Sequence, residues 1–77
     1  MLEIFFNALK DKEYYICIYD NNIYIYSYID IISFNSSLIV VKLCNCNLVI
    51  KGNNMLINKM EKHELLISGN IIGVNYE

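Results

Sequence analysis

The 77 residues are 56% hydrophobic and 18% charged, with a net charge of −2. These values exclude a disordered chain, and they leave no basic patch for nucleic acid and no polybasic stretch for an acidic membrane. No apolar run approaches the roughly 18 to 20 residues that cross a bilayer, and the length fits one domain with a thin core.

Residues 1–12, MLEIFFNALKDK, are read as a separate N-terminal segment. Leu2, Phe5, Phe6 and Leu9 fall at i, i+3, i+4 and i+7, a helical stripe with Glu3, Asn7 and Lys10 off it. A strand over LEIFFN is the other reading. The segment is short and carries an acid at Glu3, so it makes a poor signal peptide. Three cysteines, an odd number, agree with a reducing compartment. A cytoplasmic protein is expected.

Residues 13–77 are read as one β-domain. Ile, Val and Tyr dominate, period-2 alternation is good, and proline is absent. Ile16 and Ile18 alternate with Tyr15, Cys17 and Tyr19; Ile23 and Ile25 alternate with Tyr24, Tyr26 and Tyr28. A two-residue turn at Asn21-Asn22 pairs Tyr19 with Tyr24 and Ile18 with Ile25, keeping like with like across the hairpin. Asn also tolerates the positive φ that such turns need. The parity changes between Ile25 and Ile32, which places a bulge or bend at Tyr28-Ile29-Asp30.

Further turns are expected at Asn35-Ser36 and Asn45-Cys46. The strings LVIKGNNML and LLISGNIIG share a Gly-Asn pair in the same apolar setting. Hairpin turns at Gly52-Asn53 and Gly69-Asn70 would pair Ile50 with Met55 and Ile67 with Ile72. Met60-Glu61-Lys62 reads as a polar connection. The expected architecture is all-β: an antiparallel meander of seven to eight short strands curled into a roll or sandwich. A short β-solenoid is the alternative.

Chemistry is sparse. Cys44-Asn45-Cys46, with Cys17 or His63, is the one metal-like cluster, and C-x-C without a second close pair is a weak zinc signal. His63 has no nucleophile with motif support, and the acids form no evident pair, so no enzyme, cofactor or metal is expected. Tyr15, Tyr19, Tyr24, Tyr26 and Tyr28 line one face of the first hairpin. That face is either half-buried under the N-terminal stripe or an exposed patch for self-association or a partner. An uncovered aromatic face and an uncharged last strand lead to the expectation of a homo-oligomer.

Ile32-Ser33-Phe34, the strand Leu38–Leu43, LVIKGNNMLI at 48–57, Met60 and ELLISGNIIGVNY at 64–76 together resemble the YabP/YqfC family of small sporulation proteins. The hairpin at Tyr15–Tyr28 is similar to the family's front half. The start of the chain departs from the family pattern, being shorter and less basic. The resemblance implies a non-enzymatic accessory or scaffold protein of endospore formation. It would be made in the mother cell, act in a cortex- or coat-related step, and sit beside a membrane protein partner at the forespore membrane. The resemblance carries no catalytic residues. A small metal- or ligand-binding β-domain using Cys44, Cys46 and His63 is the alternative function.

Overall fold

The computed structural model describes residues 14–77; the N-terminal stripe and its helix-or-strand question lie outside the described residues. Six strands follow in order: β1 (Tyr15–Tyr19), β2 (Asn22–Tyr26), β3 (Asp30–Phe34), β4 (Leu38–Lys42), β5 (Asn47–Met60) and β6 (Glu64–Tyr76). All pair antiparallel in one open sheet of order β1-β2-β6-β5-β4-β3. There is no helix among the described residues.

Each short turn has the expected two-residue length but sits one residue from its expected place. The β1–β2 turn is Asp20-Asn21, both at positive φ (43° and 59°), with the Asn22 side chain donating to the Asp20 carbonyl at 2.9 Å. Two successive positive φ values give the turn whose twist matches that of the flanking strands. At the β3–β4 turn, Asn35 Oδ1 accepts from the backbone N–H groups of Ser37 and Leu38, at 2.9 and 2.8 Å. This fixes Ser36-Ser37 at the tip. The Leu43 N–H donates to the Cys46 carbonyl at 2.8 Å, which places the β4–β5 turn at Cys44-Asn45. Moving a two-residue turn by one position shifts the register by two, so no side chain changes face. Ile18 therefore pairs with Ile23, Ile16 with Ile25, and Ile39 with Ile50.

The parity change before β3 resolves into two features. Ser27, at φ 68°, turns the chain out of β2, and Ile32 is the extra residue of a bulge opposite β4. The expected polar connection after Ile57 is present as Glu61-Lys62-His63, between β5 and β6.

The two Gly-Asn pairs are not turns. Gly52-Asn53 lies inside β5 and Gly69-Asn70 inside β6, and the two long strands pair with each other. Ile50 faces Val74 and Leu48 faces Tyr76, so the expected Ile50–Met55 and Ile67–Ile72 pairings do not form. Merging each expected hairpin into one strand reduces seven or eight strands to six. The glycines are required by close approach. A Cβ on Gly52 would stand 2.3 Å from the Asn70 carbonyl oxygen. A Cβ on Gly69, which has φ +144°, would stand 2.6 Å from Met55 Cα.

Around this crossing, register shifts follow Lys51, Asn53 and Ile57. Each is a bulge, and bulges bend and twist the strand that carries them. The long β5–β6 hairpin therefore serves two leaves. The first is β1, β2, Glu64–Ser68 of β6 and Leu56–Met60 of β5; the second is β3, β4, the start of β5 and the end of β6. Both leaves contribute to one apolar cluster: Ile23, Ile25, Leu65 and Ile67 from the first, Ile39, Val41, Leu48 and Ile50 from the second, with Leu43 and Met55. Each buried Ile, Leu, Val or Met contributes about 1.5–3 kcal/mol, so these ten side chains are the main stabilising term of a small domain.

The three glycines give an internally controlled prediction. Gly52→Ala and Gly69→Ala should each destabilise by at least ~2 kcal/mol, because the obstructing atoms are backbone and, at Gly69, the φ is also strained. Gly73→Ala should be neutral, since nothing lies within 4 Å of its would-be Cβ. Urea midpoints of the three variants check this. Equal midpoints would remove the close-approach explanation.

Candidate functional site

Paired residues across a ladder share a face. The register therefore sets Tyr15, Cys17 and Tyr19 of β1, Asn22, Tyr24 and Tyr26 of β2, and Glu64, Leu66 and Ser68 of β6 on one surface. Ile23, Ile25, Leu65 and Ile67 point the other way and are fully buried. Tyr19 and Tyr26 are 49% and 44% exposed; Tyr15 and Tyr24 are half-buried. Four of the five expected tyrosines thus share the outer face of the first leaf. Tyr28 does not: it lies beyond β2, its ring packs against the core, and its hydroxyl donates to the Glu61 carbonyl at 2.9 Å. The turn after Tyr26 removes it from the alternation.

Two hydrogen-bonded chains cross this face. The Tyr24 hydroxyl donates to Glu64 Oε1 at 2.5 Å, and Lys59 Nζ lies 3.6 Å from Glu64 Oε2 and 3.7 Å from Glu61 Oε2. In the second chain the Asn58 amide donates to the Ser68 hydroxyl, which donates to Asn22 Oδ1 at 2.6 Å. The His63 and Tyr26 rings are 6.4 Å apart. Asn58, Ser68 and Leu66 were not expected on this face, because they reach it through the β5–β6 and β2–β6 pairings, the second joining strands separated by about half of the chain.

Burial and the bond to Glu64 push the Tyr24 phenol up to about 12. The same bond, followed by the neighbouring Glu61 and Lys59, lowers the Glu64 carboxyl. The phenol stays protonated and the carboxylate ionised throughout the physiological range. The pair ties β2 to β6 across the outer face.

Cys44 and Cys46 sit at the β4–β5 turn and His63 at the β5–β6 turn, with the fourteen residues of β5 between them. Cys17 lies on the tyrosine face. Among the described residues no group of three or more His, Cys, Asp or Glu side chains is placed to hold a metal ion. Cys46 is partly buried against the core, with its Sγ 3.9 Å from the Tyr14 hydroxyl. That bond, together with burial, raises the Tyr14 phenol to about 12. The Tyr14 ring also meets Tyr76, at 6.3 Å.

The Tyr24–Glu64 bond implies a pH dependence. The depressed Glu64 carboxyl stabilises the fold above its ordinary value of 4.5, and this is lost as pH falls through the lower folded value. The raised Tyr24 phenol stabilises the fold below 10.0, and this is lost as pH rises through about 12. Tyr24→Phe should cost about 1 kcal/mol or less at pH 7, since the bond is partly solvated. It should also flatten the stability loss between pH 10 and 12. Denaturant midpoints measured across both pH limbs check this; unchanged limbs would sink it.

The model of the YabP family matches residues 10–77, which covers both leaves and the whole tyrosine face. No curated protein and no solved structure matches the chain. With the family model spanning nearly all of its length, the chain belongs to the YabP family.

Proposed function

We propose that this protein is a non-enzymatic accessory or scaffold protein of endospore formation that works through protein–protein contacts. Membership of the YabP family carries the sporulation role. The finer reading is a mother-cell protein acting in a cortex- or coat-related step, held at the forespore membrane by a membrane protein partner. Among the described residues no helix is long and apolar enough to cross a membrane, which fits attachment through a partner.

The outer tyrosine face supports the contact role. Tyr19 and Tyr26 present large apolar rings with polar tips, the side chains that carry much of the energy at interfaces. Leu56, on the same leaf, is 49% exposed and extends the apolar surface. The non-enzymatic reading rests on a polar inventory engaged in fixed bonds: Glu64 with Tyr24 and Lys59, Ser68 with Asn22 and Asn58. No observation favours the metal-binding alternative through Cys44, Cys46 and His63.

The same face is proposed to join two copies of the chain. Sedimentation equilibrium at low micromolar protein should show a particle heavier than the 9.0 kDa chain. Tyr19→Ser with Tyr26→Ser should return it to monomer, with stability changed by no more than about 0.5 kcal/mol per site. A monomeric parent would end the homo-oligomer proposal. For the cellular role, deletion of the gene from a spore-forming host should impair spore assembly; normal yields of heat-resistant spores would count against it.

A further inference from the structure

The far half of β6 is an open edge. β2 pairs with β6 only over Glu64–Ser68, so among the described residues no strand flanks Ile71–Tyr76 on the side away from β5. The ladder with β5 sets which backbone groups face that edge. Asn47 and Glu77 exchange both N–H to carbonyl bonds, at 2.9 and 2.8 Å. Antiparallel pairs alternate between bonded and non-bonded. Asn75 and Gly73 are therefore turned toward their partners Val49 and Lys51, while the N–H and C=O groups of Tyr76 and Val74 point outward from the edge.

The side chains of this strip are as open as its backbone. Ile72, the extra residue of a bulge, is 69% exposed and Tyr76 is 61% exposed, the highest values for large apolar side chains among the described residues. No charged residue lies between Glu64 and Glu77. Edges that stay unpaired commonly carry charges that block association. Gly73 is an independent sign. Gly52 and Gly69 are explained by contacts within the chain, but a Cβ on Gly73 would meet nothing within 4 Å. Its φ is not positive, so the neighbouring bulge does not require glycine either. A glycine inside a strand that the fold itself does not need marks a place where another backbone comes close.

We propose that this edge pairs with the same edge of a second copy, antiparallel about a two-fold axis at Val74. Val74 then exchanges both backbone bonds with its counterpart. Gly73 stands opposite Asn75 of the second copy in a non-bonded pair, where Cα atoms are only ~4.5 Å apart and the missing side chain leaves room for the Asn75 amide. Ile72 comes level with Tyr76 of the second copy, so the two most exposed apolar side chains cover each other. Glu77 falls opposite Ile71, which keeps the two Glu77 carboxylates at opposite ends of the contact. A second copy is favoured over an unrelated strand because a two-fold contact requires the strip to complement only itself, and this strip does so without like charges meeting. The second leaves of the two copies join into one continuous sheet of order β3-β4-β5-β6-β6-β5-β4-β3.

The strip lies beyond Glu64–Ser68, the part of β6 that belongs to the tyrosine face, so the inference is independent of the contact role proposed above. A contact this small associates weakly. It sets in at high micromolar protein, above the range in which the variant Tyr19→Ser with Tyr26→Ser is monomeric.

The test uses that variant, in which the tyrosine face is disabled. Sedimentation equilibrium at high micromolar protein should show a dimer. NMR of mixed labelled and unlabelled chains should show contacts between chains from Gly73 Hα to Asn75 Hα and from the Ile72 methyl groups to the Tyr76 ring. The Val74 and Tyr76 amides should exchange roughly tenfold more slowly at high than at low concentration. Adding Ile72→Lys should abolish the dimer while leaving the urea midpoint unchanged, because Ile72 is exposed. A variant that stays monomeric at high micromolar protein would overturn the inference and leave the tyrosine face untouched. So would a dimer that lacks these contacts or survives Ile72→Lys, or Val74 and Tyr76 amides already protected in the monomer, which would mean that the edge is paired within its own chain.

Discussion

Everything in this fold depends on the two backbones meeting at Gly52 and Gly69. The β5–β6 hairpin has strands of fourteen and thirteen residues, long enough to run past any single compact layer. A flat hairpin of that length would leave its apolar face in water. Here it bends at the bulges around Asn53-Asn54, and the bend needs one strand's carbonyl to lie where the other's Cβ would be. With the bend in place, β2 and β4, which flank the hairpin on opposite sides and at opposite ends, deliver Ile23, Ile25, Ile39 and Val41 into one cluster. The repeated Gly-Asn strings are therefore two halves of one joint.

Much of this was legible in the sequence, and the main error has a definite physical origin. Alternation of Ile with Tyr gave the faces of β1 and β2 correctly even though each turn was displaced by a residue, because face assignment depends on parity alone. Parity is also what misled at the glycines. A two-residue turn between Ile50 and Met55 would place both on one face, and so does a strand with one bulged residue between them; Met55 is indeed buried with Ile50. Local sequence does not separate these cases. What separates them is the β5–β6 partnership, a contact between residues up to 28 positions apart, as in Leu48 with Tyr76. The tyrosine face was legible for the same reason as the faces of the first hairpin. Its polar chains through Asn58, Ser68 and Glu64 were not, because they are built by the non-local pairing of β2 with β6.

The family assignment and the geometry bear on different questions. The family points to sporulation, while the site shows a surface on which the Tyr24 hydroxyl and the Glu64 carboxylate are bound to each other. That bond ties β2 to β6 and so fixes the spacing of the outer-face side chains on the two strands.

The position of β6 in the chain has a consequence for how the protein is made. β6 supplies one strand to each leaf, between β2 and β5 in the first and alongside β5 in the second, and it is made after the other five. Until it emerges, β2 has no partner on its inner side and the core cluster lacks Leu65 and Ile67. The nascent chain can form local hairpins but cannot close either leaf. Closure of both leaves is therefore deferred until β6 has emerged, because sheets built on such distant pairings gain little from partial assembly. A chain cut before β6 would have neither leaf complete, so these thirteen residues act as a check that the five strands before them have been made.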